Sequence, residues 1–400
     1  MRTGTITRAD CEALDRTDPL ASMRKHFTLP ADLVYLDGNS LGALPRAARA
    51  HVGRMIDDDW GQGLVRSWMT AGWYELPRTL GDRLAPLLGT GPGQVVVGDS
   101  TSVNVFKAVT AALRLRPDRD VVVSDHANFP SDLYAVESAA SPHHAEVRPL
   151  IDPDRLDLDE RVAAVVMGHV DYRTGAMRDM AAVTERVHRH GALMIWDVCH
   201  SAGAMPLHLA SCDVDFAIGC TYKYLNGGPG APAFLYAAPR FHQTAEPSPQ
   251  GWFGHADPFA FDTRYTPAPS VSRFLVGTPP LLAYAALEGS LEVWERTDLG
   301  TVREKSVAQT SLFIDLVEER CGDRLELVTP RDPSVRGSQV SYRHPAAPAL
   351  VEALGERGVI ADARRPDILR FGFAPLYVTY ADVWRAAETL ATVAGRHDRA

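Results

Sequence analysis

Long apolar runs are missing from this chain. None is long enough to span a bilayer, and the opening MRTGTITRADCEALDR has no apolar signal core. Cysteine is scarce: Cys11, Cys199, Cys212, Cys220 and Cys321 are odd in number and scattered without CxxC spacing. That pattern indicates neither a disulfide framework nor a zinc site. Positive charge is in deficit. A formal net charge of −9 provides no basic face for nucleic acid. GxGxxG, GxxxxGK[ST] and GxSxG are absent, as are internal repeats and low-complexity tracts. The expectation left standing is a soluble, cytoplasmic protein of 400 residues, long enough for a large domain and a smaller one.

What is present is an alternation. Residues 94–100, 120–126, 161–170, 191–198, 214–220 and 232–238 are short, continuously apolar or β-branched runs, as strands buried on both faces should be. Between several of them lie segments of helical period, such as SVNVFKAVTAALRL and RDMAAVTERVHRHG. This pattern predicts an α/β fold with a doubly wound, mostly parallel sheet, whose ligands bind beyond the carboxyl ends of the strands. Residues 240–280, rich in Pro, Gly and aromatics, read as a long ordered loop. Long helices follow Pro279-Pro280, then a smaller C-terminal α/β domain. The expected division is an N-terminal arm (1–50) packing with the small domain, a large domain (51–295) and the small domain (296–400).

Charged residues at the ends of apolar strands are the chemical signal. Lys223 follows FAIGCTY and precedes a glycine-proline loop, and Asp197 ends GALMIWD. A buried carboxylate needs a cationic partner. An aspartate and a lysine on successive strand ends suit pyridoxal 5'-phosphate: the lysine forms a Schiff base with the aldehyde, and the carboxylate keeps the ring nitrogen protonated. The alternatives for Asp197 are a helix-capping carboxylate or a metal ligand with His200, and for Lys223 a surface lysine. Ser100, Thr101 and Ser102 lead from a strand into a helix, which makes either a phosphate seat or a plain N-cap. Phe129 either lies against a cofactor ring or caps the core beside Pro130. Tyr222 is either a phosphate donor and proton relay or a packed tyrosine. Arg370, on a small-domain strand, either clamps a carboxylate bidentately or forms a salt bridge.

YLDGNSLG (35–42), DWGQGLVRSW (59–68), STSVN, NFPSD (128–132), WDVCHSAG (196–203), CTYKYLNGGPG (220–230), GWFGH (251–255), GTPP (277–280) and LRFGFAPLY (369–377) together resemble the kynureninases. These are fold-type I pyridoxal phosphate enzymes related to the class V aminotransferases, and the likeness runs from about residue 8 to about 395. It implies hydrolytic Cβ–Cγ cleavage of L-kynurenine to anthranilate and L-alanine in tryptophan catabolism. It implies Lys223 as the Schiff-base lysine, Asp197 as the ring-nitrogen partner and Phe129 as the stacking ring. Thr101, Ser102, Ser131, Tyr222 and Trp252 become phosphate or near-phosphate contacts, Asp132 and His200 further cofactor-site residues, and Arg370 the holder of the α-carboxylate. Trp252 and Gly277-Thr278-Pro279-Pro280 are expected to reach the cofactor of a partner subunit, so a homodimer is implied. Animal kynureninases carry His where Trp60 stands and Ser-Asn where Gly277-Thr278 stand. That difference, beside the substrate's aromatic ring, favours L-kynurenine over 3-hydroxykynurenine. Another fold-type I enzyme, a cysteine desulfurase or an aminotransferase, is the rival reading.

Overall fold

The computed structural model describes residues 6–152 and 155–397. Its centre is a seven-stranded sheet of β1 (Val95–Val97), β2 (Val121–Asp125), β3 (Glu146–Leu150), β4 (Val162–Gly168), β5 (Leu193–Asp197), β6 (Phe216–Gly219) and β7 (Phe234–Ala237). The spatial order is β1-β7-β6-β5-β4-β2-β3. Pairing is parallel from β3 through to β6, and β7 runs antiparallel to both β6 and β1. Six of the strands match the expected apolar runs. The seventh, β3, was not expected. Its EVRPL sequence has one residue buried, as suits an edge strand exposed on its outer side, where Pro149 costs no ladder bond.

Helices cover the sheet. In chain order α1 (Arg8–Thr17) and α2 (Arg46–Arg54) belong to the N-terminal segment, and α3 (Thr101–Leu115), α4 (Pro130–Ala140) and α5 (Met180–Arg189) connect the strands. Each connecting helix begins where its sequence tells it to: Ser100 caps α3, Pro130 stands in the first turn of α4, and Asp179 caps α5. The apolar stretch after Pro280 forms two helices, α6 (Leu281–Trp294) and α7 (Leu299–Cys321), with Asp298 capping the second. Gly289 lets α6 lie directly on α2, since a Cβ there would sit 2.4 Å from the Ala48 nitrogen.

The C-terminal part holds an antiparallel sheet in the order β8-β9-β11-β10, built from β8 (Glu326–Leu327), β9 (Gln339–Arg343), β10 (Asp362–Arg364) and β11 (Ile368–Gly372). Helices α7 and α8 (Tyr380–His397) pack together beside it. Helix α1 lies on α8, and Val34–Tyr35 pairs in parallel with Val359–Ile360. The loop from 240 to 280 is ordered by short 3₁₀ turns, including Trp252–Gly254 and Val271–Phe274. Among the described residues, no helix is long and apolar enough to cross a membrane.

Candidate active site

A cavity of about 580 Å³ opens where β2, β4, β5 and β6 end, roofed by residues of β10 and β11. Ligands of open α/β sheets bind in this position, because strand ends leave backbone groups and polar side chains uncovered there. Lys223, Tyr222, Asp197, His200, Asp132, Ser131, Phe129, Thr101, Ser102, Gly277, Thr278 and Arg370 all line it.

The loop after β6 holds Lys223 in place. The Thr221 hydroxyl donates to the Pro232 carbonyl at 2.6 Å, and the Asn226 amide donates to the Lys223 carbonyl at 2.9 Å. From the N-terminal segment, the Gly42 N–H donates to the Tyr222 carbonyl at 2.8 Å, and Asn226 Nδ2 returns a bond to the Ala43 carbonyl at 3.1 Å. Helix α6 closes the loop from behind, with Ser290 and Trp294 donating to the Leu225 carbonyl. The Lys223 amine is thereby aimed at His200, its Nζ 3.0 Å from Nε2. Burial, then the charges of Lys223 and Arg370, hold the imidazole well below its ordinary pKa and therefore neutral.

Asp197 ends β5 and accepts the Cys199 N–H at 2.7 Å on Oδ1. Asp132, in the first turn of α4, is buried, and no donor reaches its Oδ2. Burial, and after it the facing Asp197, push the Asp132 carboxyl well above the usual range. Two acids thus line the cavity floor, one with an unserved oxygen, an arrangement that suits a cationic ring nitrogen. The donor set fits the expected cofactor in this respect. Tyr222 is half-buried, and burial, then the neighbouring thiols of Cys220 and Cys199, push its phenol upward, so it keeps its proton.

Thr101 and Ser102 occupy the first turn of α3, where unpaired amides and hydroxyls suit an anion. The turn before it is held by Asp99, in a left-handed conformation (φ 53°), ion-paired with the buried Lys107. Lys107 also donates to the Phe274 carbonyl at 2.7 Å. Asn128 anchors the next loop by accepting the Gly168 N–H at 2.9 Å. Phe129 then projects into the cavity with its edge toward Tyr172, ring centres 5.2 Å apart.

The roof is a charge cluster. Arg370 is only 1% exposed and grips Asp362 through Nε (2.8 Å) and Nη2 (2.5 Å). It also donates to Ser40 Oγ at 2.8 Å and to the Tyr172 carbonyl at 2.7 Å. Burial opposes ionisation of Asp362, but the bonds and charge of Arg370 outweigh it and hold the carboxyl below its ordinary value. Asp37 moves the other way: burial, then the neighbouring Asp362, push it up to about 6.

Trp60 and Trp252 do not line this cavity. Trp60 is 57% exposed in the π-helical segment Met55–Gly63, and Trp252 packs edge-on against Trp68 and Phe253. Gly277 and Thr278 stand at the cavity mouth, exposed. Sequence reasoning missed Ser40, Tyr172, Asp362 and Arg364, all within or beside the roof. The ADAR stretch from 361 to 364 does alternate charged and small residues, a faint strand signal.

A profile of the kynureninase C-terminal domain matches residues 302–390. A kynureninase of Burkholderia pseudomallei (strain 1106a) is 51% identical over 394 residues, covering 96% of this chain and 94% of its own. A kynureninase of Pseudomonas fluorescens is 48% identical over 399 residues, covering 98% of this chain and 96% of its own. Among solved structures, the cysteine desulfurase CsdA of Escherichia coli superposes with a TM-score of 0.79 at 20% identity, over 95% of this chain and 98% of its own. A cysteine desulfurase of Thermococcus onnurineus NA1 gives 0.78 at 19%, over 94% and 98%. At that identity the likeness is one of fold: a fold-type I architecture. Four of the five cysteines are buried and Cys212 is half-buried. With about half its residues shared along nearly the whole of both sequences, the chain belongs to the kynureninase family.

Proposed function

We propose that this chain hydrolyses the Cβ–Cγ bond of L-kynurenine, releasing anthranilate and L-alanine, with pyridoxal 5'-phosphate as cofactor. One observation carries the site reading. The Lys223 amine enters the cavity without a carboxylate within ion-pairing distance among the described residues, and the acidic pair Asp197–Asp132 lines the same cavity. When bound, the cofactor supplies a protonated ring that takes up the electrons released as bonds at the substrate's Cα and Cβ break. Lys223 would hold the cofactor's aldehyde and would take the substrate's Cα proton. Asp197 would keep the ring nitrogen protonated, with Asp132 facing it across the cavity floor. Thr101, Ser102 and Ser131 would hold the phosphate and Phe129 would pack against the ring, while neutral His200 fixes the lysine's direction. Tyr222 keeps its phenolic proton and can deliver it as water adds to the γ-carbonyl. Arg370 holds the α-carboxylate.

The active unit in this reading is a cytoplasmic homodimer. Residues 56–69 expose Ile56, Trp60, Leu64, Val65 and Met69 in one short segment, more apolar surface than a monomer ordinarily leaves wet. Trp60 and Trp252, away from their own cavity, then serve the partner's, with Gly277 and Thr278 at the junction. The arm (1–50), large domain (51–295) and small domain (296–400) are the proposed units, since the break between α6 and α7 falls at their boundary. Bulky Trp60 in place of a polar residue favours the unsubstituted ring.

The test is to supply purified holoenzyme with L-kynurenine and with 3-hydroxykynurenine and follow anthranilate and 3-hydroxyanthranilate. Anthranilate should form faster. No product from either substrate would overturn the reaction, and pyruvate-dependent amino transfer would favour the aminotransferase reading.

A further inference from the structure

Arg370 already grips Asp362 bidentately and cannot do the same for a second carboxylate in this arrangement. It spends its Nε hydrogen and both Nη2 hydrogens on Asp362 and Ser40, and one Nη1 hydrogen on the Tyr172 carbonyl. A single N–H remains. Asp362 stands opposite Arg370 in the β10–β11 register, so this commitment is built into the strand pairing.

Two residues along β10, on the same face as Asp362, stands Arg364. It lines the cavity, and its Nη2 reaches Asp362 Oδ2 at 2.9 Å and Ser40 Oγ at 3.3 Å. Its Nε is buried with no partner. An unpaired buried donor of a cation is costly unless an acceptor arrives. Two guanidinium groups therefore share one firmly ionised carboxylate, Asp362, with Asp37 close by and its oxygen Oδ1 unserved.

We propose that Arg364 is a second carboxylate-binding residue, taking one oxygen of an α-amino acid's carboxylate while the remaining N–H of Arg370 takes the other. The incoming carboxylate meets the part of the Arg364 guanidinium that faces the cavity, a side chain 32% exposed, and its charge adds to that of Asp362 between the two arginines. Arg364 thereby selects α-amino acids over amines. This rests on reading the cavity as an amino-acid site; the particular reaction is not required.

The experiment titrates holoenzyme with L-alanine and with ethylamine, its carboxylate-free counterpart, and reads binding from the visible absorbance of the bound cofactor. Arg364→Gln should weaken L-alanine binding ~10- to 100-fold and leave ethylamine within about twofold. KM for L-kynurenine should rise by a similar factor, with a much smaller change in kcat. Arg364→Lys, which keeps the charge without the fork, should recover part of the L-alanine affinity. If Arg364→Gln fails to fold, Arg364→Lys carries the test, with L-alanine weakened and ethylamine unchanged. Unchanged L-alanine binding, or equal weakening of both amines, overturns the proposal. Selective loss of L-alanine binding in a protein that cleaves no kynurenine would leave this proposal standing and remove the reaction instead.

Discussion

The Lys223 amine lies 3.0 Å from Nε2 of His200, and that neutral imidazole is its hydrogen-bonding partner. A lysine held by a neutral partner is not tied into an ion pair, so its nitrogen stays within reach of an incoming carbonyl. Lys223→Ala should abolish both turnover and the visible absorbance of bound cofactor while leaving the urea midpoint near wild type. A variant retaining full activity would remove Lys223 from its assigned role.

Asp197 is argued to protonate a ring, and packing is incidental to that. Asp197→Asn keeps the shape and a hydrogen-bonding oxygen for the Cys199 N–H. It should lower kcat by ~100-fold or more while changing unfolding free energy by less than about 1 kcal/mol. Equal damage to rate and stability, measured in parallel on one preparation, would reassign Asp197 to a structural post.

Lys223 and Asp197 were legible in the sequence because a charge directly after a continuously apolar run has few places to go. Six strands were legible for the same reason: both their faces are buried, so the apolar run is unbroken. Strand β3 was hidden by its exposed outer side and by Pro149. Asp362 and Arg364 were hidden for another reason. They occupy a three-residue strand of half-buried residues, and their meaning comes from lying across from Arg370, a contact no local pattern encodes. Trp60 and Trp252 carry a family motif, yet a single chain leaves them outside its own cavity.

Close approach of α2 and α6 depends on Gly289. A methyl group there would meet the Ala48 nitrogen at 2.4 Å and Cα at 2.5 Å, backbone atoms that cannot swing aside. Gly289→Ala should therefore destabilise the fold by ~1–3 kcal/mol despite the higher helix propensity of alanine. A lowered urea midpoint with unaltered slope is the expected signature.

His188 gives stability a pH dependence. It bonds the buried Asp215 at 2.7 Å, and that bond, working against burial, raises its pKa above the ordinary 6.5. Asp213 adds to the effect and Arg240 opposes it. Because the folded-state value is the higher one, the stabilisation is full below about 6.5 and fades as pH rises through the raised value. His188→Gln should thus lose most, relative to wild type, at pH 6 and least at pH 9, as read from paired urea titrations. A difference that grew with pH would contradict the bond's role.

The apolar segment from 56 to 69 should be covered by a second copy. Val65 and Met69 are 76% and 71% exposed, so charges placed there cost nothing within one chain. Val65→Asp with Met69→Asp should yield a folded monomer by sedimentation, with weakened cofactor retention. A double variant that stayed dimeric would move the interface elsewhere.

The N-terminal segment from Asp37 to Ala43 touches both halves of the chemistry. Ser40 accepts from Arg370 in the roof, while the Gly42 amide and the Ala43 carbonyl hold the loop that carries Lys223. A Cβ on Gly42 would fall 2.3 Å from the Lys223 carbonyl, so nothing can be wedged between them. Seven residues of the chain therefore bridge Arg370, the proposed holder of the substrate's carboxylate, and the loop of Lys223, the proposed base. The separation between Arg370 and Lys223 is thus spanned by a length of chain near the start of the polypeptide, far in sequence from both residues.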